Sequence, residues 1–227
     1  MNINEYNNVK DMTYLEYCDY LQNKYGLPPR PYCSPDFEKY RENSCTAYGL
    51  VIHHKMEDHA ILLSTLDYMK KYPYEWQCRE NLVYCDFLEH LLLHVLITEY
   101  PAEDRVDKHV GGGGIGLIYD NIISFFKLST GVNPGNKHLR NSTMLDWQQN
   151  CFSVIKGDFD VLYTLCERIT KPHNLTSKSF FGAVVDLSES DLFNSIIISY
   201  QSEFASIDSM KYQNIMRYNQ YKTLDND

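Results

Sequence analysis

Five of the eight histidines in this 227-residue chain fall between positions 53 and 94. His53 and His54 are adjacent, His59 follows, and His90 and His94 stand four apart. Imidazoles at that last spacing share one face of a helix and can chelate a divalent ion. A third imidazole from a strand completes a facial set, leaving coordination positions for water and a phosphate oxygen. Neighbours on a regular strand point to opposite faces, so one of His53 and His54 is free for a second task. Beside a bound phosphate it would serve as general base toward water. Asn81 has an amide able to bridge the loop backbone and fix that base.

Two strands and a helix must position these groups. Residues 46–53, TAYGLVIH, carry the β-branched and aromatic residues of a short strand, and LVYC at 82–85 predicts a second. Asp86, with Glu89 three residues on, forms a capping-box signature for the helix FLEHLLLHVLITEY. Between the strands, His59 to Lys71 predicts a helix with Ile61, Leu62, Leu66 and Met69 on one face, followed by the loop KKYPYEWQCREN. Upstream, Asp11 to Tyr25 predicts a helix with Tyr14, Leu15, Cys18 and Leu21 on one side and Gly26 at its end. The proline-rich LPPRPYCSP is an extended or turning connector. Downstream, KHVGGGGIG (108–116) predicts a flexible or tight turn at a hinge or site edge; it lacks the GK[ST] of a phosphate loop and the strand–helix setting of a dinucleotide fingerprint. Helices are predicted at 117–128, 144–155, 158–169, 188–200 and 207–218, with a polar turn at GVNPGNKHLRN and a loose tail.

The histidine pattern resembles the HNH nucleases, also called the His-Me finger or ββα-metal family, and in spacing the nuclease domains of bacterial colicins. Those have two adjacent histidines, a spacer, asparagine, eight residues, histidine, three residues and histidine. Here eight residues separate Asn81 from His90 and three separate His90 from His94. The ENLVYC run is similar to a stretch common in HNH domains. The resemblance spans residues 45–98. It implies that His53, His90 and His94 ligate a divalent metal (Mg, Mn or Zn, with Ni also possible), that His54 is the general base and that Asn81 orients the base loop. It further implies hydrolysis of DNA phosphodiesters by histidine-activated water, leaving 5′-phosphate and 3′-hydroxyl ends. The 26-residue spacer between His54 and Asn81 exceeds that of the compact members and would hold the inserted helix. The expected fold is therefore α+β: a ββα-metal core within a mainly helical protein. Its expected parts are an N-terminal helix and connector at 1–44, the core at 45–100, and a helical region at 101–227.

The formal charge of −9 works against loose electrostatic binding of long nucleic acid, and no segment of the chain is basic. A nuclease would have to gather its few cations locally, with Arg79, Lys108, Lys137 and Arg140 as candidates, while the bound metal supplies part of the field. The acidity leaves two alternatives open: RNA or a small nucleotide as substrate, or a non-catalytic module that binds a protein partner through its C-terminal helical region. Seven cysteines, an odd count with no CxxC pair, predict buried free thiols and not a disulfide framework or zinc knuckle. The apolar run LLLHVLI is far short of the roughly 20 residues of a membrane span. The first residues carry no secretory signal, so a cytoplasmic, membrane-free protein is expected. Glu57, Asp58 and His59 lie near the base histidine and are expected in a solvated loop, with tuning of that base or approach to the metal as the alternative. Glu89 is expected as a cap or surface acid, with a metal-side partner or extra ligand as the alternative. His109, His138 and His173 have no patterned partner.

Overall fold

The computed structural model describes residues 1–107, 110–129 and 144–170. It is an α+β protein, mostly helical, with one small antiparallel sheet among the described residues. The helices are α1 (Ile3–Val9), α2 (Tyr14–Tyr25), α3 (Leu66–Met69), α4 (Phe87–Glu99), α5 (Gly112–Ser129), α6 (Asp146–Ile155) and α7 (Phe159–Thr170). The strands are β1 (Val51–His54) and β2 (Leu82–Cys85), paired so that His53 faces Val83 and His54 faces Leu82.

Central to the architecture is α4. Leu88, Leu91, Leu92, Leu93 and Leu96 are all fully buried, so this helix is apolar nearly all round and has to be wrapped by others. It is packed by α2, α5, α6, α7 and both strands. Each such leucine contributes about 1.5–3 kcal/mol on leaving water. The start of α4 is locked by a reciprocal cap. Asp86 Oδ1 accepts from the Leu88 and Glu89 amides, both at 2.8 Å, while the Asp86 amide donates to Glu89 Oε2 at 2.7 Å. Glu89 is thus a cap but not a surface acid: it is fully buried, and its other oxygen receives Lys24 Nζ at 2.7 Å and Tyr25 Oη at 3.1 Å. Because Asp86 alone separates β2 from α4, the helix leaves the sheet without slack and brings His90 and His94 up to β1.

One hydrophobic cluster runs from Tyr6 and Leu21 through Val83 and α4 to Ile155 and Leu165. All three expected segments share it.

Several boundaries differ from expectation. Helix α2 begins at Tyr14, with Thr13 as its N-cap, and buries Tyr14, Tyr17, Cys18 and Leu21; Leu15 is exposed, one position off that i, i+3, i+4, i+7 stripe. The first strand is half its expected length. Residues 46–48 form a 3-10 turn ending at Gly49, which has φ +77° and lies so close to Val154 and the Asn150 carbonyl of α6 that a side chain would not fit.

The inserted helix shrinks to the single turn of α3. Leu62 adopts φ +59°, the Ile61 amide donates to Asp107 Oδ2 and the Leu63 carbonyl accepts from Gln77. Side chains have taken backbone groups that a helix would have paired internally. The glycine run, expected as a turn, continues from Gly112 as helix α5. Burial of Ile115, Ile118, Tyr119, Ile122 and Phe125 outweighs the poor helix propensity of glycine, about 1 kcal/mol per residue. Helices α6 and α7 fall close to expectation. No helix among the described residues is long and apolar enough to cross a membrane. Lys108, His109, Lys137, His138, Arg140 and His173 lie outside the described residues, as do the expected turn at 131–141, the helices expected at 188–200 and 207–218, and the tail.

Candidate metal centre

His53 on β1 and His90 and His94 on α4 form a nearly equilateral triangle. Ring centroids lie 5.1 Å apart for His53–His90, 5.0 Å for His53–His94 and 5.0 Å for His90–His94. Glu57 joins them from the 3-10 turn Lys55–Asp58 that follows β1. Its Oε2 is 3.2 Å from His94 Nε2 and 3.6 Å from His53 Nδ1. One ligand atom from each of these four residues lies within 4.8 Å of all the others.

The hydrogen bonds around the rings decide which nitrogens are free. Tyr14 Oη lies 2.8 Å from His53 Nε2, 3.0 Å from the Lys55 carbonyl and 3.3 Å from the His54 carbonyl. Carbonyls only accept, so the single phenol proton goes to one of them and His53 Nε2 donates to the phenol oxygen. That leaves a lone pair on His53 Nδ1, a buried atom with no hydrogen-bond partner among the described residues, aimed at the cluster. Gln77 does the same for His54. Its amide nitrogen donates to the Leu63 carbonyl at 3.3 Å, which turns Oε1 toward His54 Nε2 at 3.0 Å. His54 therefore carries its proton on Nε2, and its buried Nδ1, also without a hydrogen-bond partner among the described residues, lies 3.7 Å from Glu57 Oε1.

Burial pushes His53 well below the ordinary imidazole range. It holds His90 at about 3, with His94 adding to the effect. Both rings are neutral at pH 7, the form that binds metal. For Glu57, burial opposes ionisation, whereas positive charge at the surrounding rings, His53 foremost, draws the carboxyl well below its usual range. With the rings neutral, the two Glu57 oxygens face the Nδ1 lone pairs of His53 and His54, and the positive charge has to come from elsewhere. A cation among them reconciles that arrangement. Tetrahedral bonds of about 2.0–2.1 Å set neighbouring ligand atoms roughly 3.3 Å apart, close to the separations around Glu57 Oε2. The cluster can hold a divalent metal ion. Tyr14, which fixes the ring and tautomer of His53, is the kind of outer partner such sites use.

Gly114 of α5 lies against the His94 ring, where even a methyl group would overlap Nδ1 and Cε1. Helix α5 thus backs the ring closely. His53, His54 and His94 are buried, while His90 and Glu57 are half-buried and form the side of the cluster nearest solvent.

The histidines singled out by spacing meet at one place. Asn81 stands a step back: its Nδ2 donates to the Glu75 carbonyl at 2.8 Å, bracing the 74–77 turn that carries Gln77. Arg79 is half-buried in the turn before β2, with its Nε lacking a hydrogen-bond partner among the described residues. Glu57 overturns its expected place in a solvated loop. Its spacing from His53 and His54, four and three residues, was the available signal, usable only if the chain coils directly after β1. Nothing in the sequence marked Tyr14 or Gln77 as part of the site, whereas Gly114 belongs to the glycine run expected at a hinge or site edge. His59 faces away from the cluster, between Asp58 at 2.5 Å and Asp104 at 3.1 Å.

Comparison with protein families, curated proteins and solved structures returns no match for this chain.

Proposed function

We propose that the protein is a divalent-metal phosphodiesterase of the His-Me finger type, with DNA as its substrate. The observation that carries this reading is the convergence of three imidazoles from β1 and α4 beside a fourth, His54, whose Nδ1 lone pair opens on the same space. The donor set, three nitrogens and a carboxylate oxygen, suits Zn, Ni or Mn better than Mg, which prefers oxygen ligands and retained water. When bound, the ion polarises a phosphoryl oxygen and stabilises the charge on the leaving oxygen.

The chain's own residues then do the following. His53, His90 and His94 hold the ion. Tyr14 and Gln77 keep the two strand histidines in the Nε2–H tautomer, so that each presents Nδ1 inward. His54 Nδ1 takes a proton from water as the water oxygen attacks phosphorus. The bond to the 3′ oxygen breaks, and that oxygen is protonated from solvent, leaving 5′-phosphate and 3′-hydroxyl ends.

A cleavage assay on plasmid DNA, RNA and cyclic nucleotides with Mg, Mn, Zn and Ni tests this. His54→Ala is expected to lower turnover by about 10²–10⁴-fold with metal affinity nearly unchanged, since a base is lost and not a ligand. His90→Ala or His94→Ala is expected to weaken metal binding in calorimetry and remove the rise in melting temperature that the metal produces. A wild-type protein that binds metal yet cleaves none of these substrates sinks the proposal, and leaves a binding module built on the same scaffold.

A further inference from the structure

The proposed reaction needs room for a phosphate and a water between the three-imidazole set and His54 Nδ1. Glu57 fills that room. One carboxylate oxygen faces the ligand atoms of His94 and His53, and the other faces His54 Nδ1. The residue has the charge of a phosphate diester and two oxygens arranged to do what phosphoryl oxygens would do there. Among the described residues its partners are imidazoles, and no arginine, lysine or backbone amide there ties it down. It also sits on a four-residue 3-10 turn, half-buried, and not inside a strand or long helix. A site with four protein ligands is closed, whereas metal-dependent hydrolysis keeps one position open.

From this we infer that Glu57 is a displaceable fourth ligand that occupies the phosphate position in the resting site, and that an incoming phosphate oxygen replaces it. The inference rests on the phosphodiesterase reading, because only an incoming phosphate gives the closed site a reason to open. In the resting state Glu57 would raise metal affinity and keep the imidazole set from binding stray anions. When phosphate enters, the side chain swings toward solvent and uncovers His54 Nδ1 for water.

The test uses zinc and inorganic phosphate as probes and needs no turnover. Calorimetry of zinc binding to wild type, Glu57→Ala and Glu57→Gln is expected to show an affinity loss of about tenfold or more in both variants. Phosphate is then titrated into the zinc-loaded proteins. If the open form is a minor state of the wild type, phosphate should bind Glu57→Ala about tenfold or more tighter. Glu57→Asp keeps the charge with a shorter reach and is expected to follow the alanine variant. Unchanged zinc affinity in Glu57→Ala and Glu57→Gln overturns the inference, since Glu57 is then no ligand. Phosphate binding no tighter than wild type also overturns it. So does a Glu57→Asp variant that matches wild type, because the effect is then one of charge alone. Glu57→Gln preserves the volume of the side chain and carries the comparison if the alanine variant fails to fold. Absence of cleavage by wild type would remove the phosphodiesterase reading and leave these binding results standing; cleavage with wild-type-like Glu57 variants would remove this inference alone.

Discussion

Helix α4 and the spacer between the two strands serve the same site in opposite ways. Helix α4 is capped by Asp86, buried on nearly every face and fixed by its neighbours, so His90 and His94 are placed by a rigid rod. The spacer has almost no regular structure: two 3-10 turns flank the single turn of α3, and a third leads into β2. It is held by side chains bonded to backbone, Asp107 to Ile61, Gln77 to Leu63 and Asn81 to Glu75. Yet the spacer supplies Glu57 and Gln77, which set the charge and the tautomer at the centre. Ligands that must not move come from a helix. Groups that must approach a ring from a particular angle come from irregular chain, where each carbonyl and amide can be aimed separately.

Three substitutions would break or sharpen this contrast. The largest effect is expected from Leu92→Ala in α4, where a fully buried side chain leaves a cavity and stability falls by about 2–5 kcal/mol in chemical denaturation. A loss below 1 kcal/mol would show that α4 is not the rigid element described. Next comes Gln77→Leu in the spacer. It removes the acceptor that fixes His54 and should lower turnover by about 10–100-fold, shift the pH profile of kcat and leave metal affinity nearly intact. Equal losses of turnover and metal affinity would mean that the spacer only holds the fold. The smallest effect is expected from Leu66→Ala, at a position 44% exposed, which should change stability by no more than about 0.5 kcal/mol. Leu66 and Leu92 both lie on stretches with apolar helical spacing, so a large effect at Leu66 would erase the distinction between the two regions.

Much of the site was legible because its signals are local. The interval between His90 and His94 fixes their shared face once a helix forms, and Asp86 with Glu89 announces where that helix begins. The parity of β1 separates the roles open to His53 and His54. Elsewhere local pattern misled. His59 to Lys71 has helical periodicity, but Asp107 and Gln77, distant in sequence, draw off its backbone partners. The glycine run looks like a turn, but apolar burial on α5 carries it into a helix. Leu15 shares the period of its neighbours loosely enough to seem buried, and one position of offset puts it in water.

By itself, then, the amino-acid order determined that His90 and His94 would share one face of a helix capped by Asp86, because covalent spacing and backbone geometry act within a few residues. That His53 meets that pair was implied by the resemblance alone and is a long-range outcome. Tertiary structure alone decided that Glu57 turns inward between them, that Tyr14 and Gln77 set the protons on two rings, and that Gly114 lets α5 close against His94. Those outcomes depend on contacts between residues far apart in the chain, where packing and the need to pair every buried polar group overrule local preference.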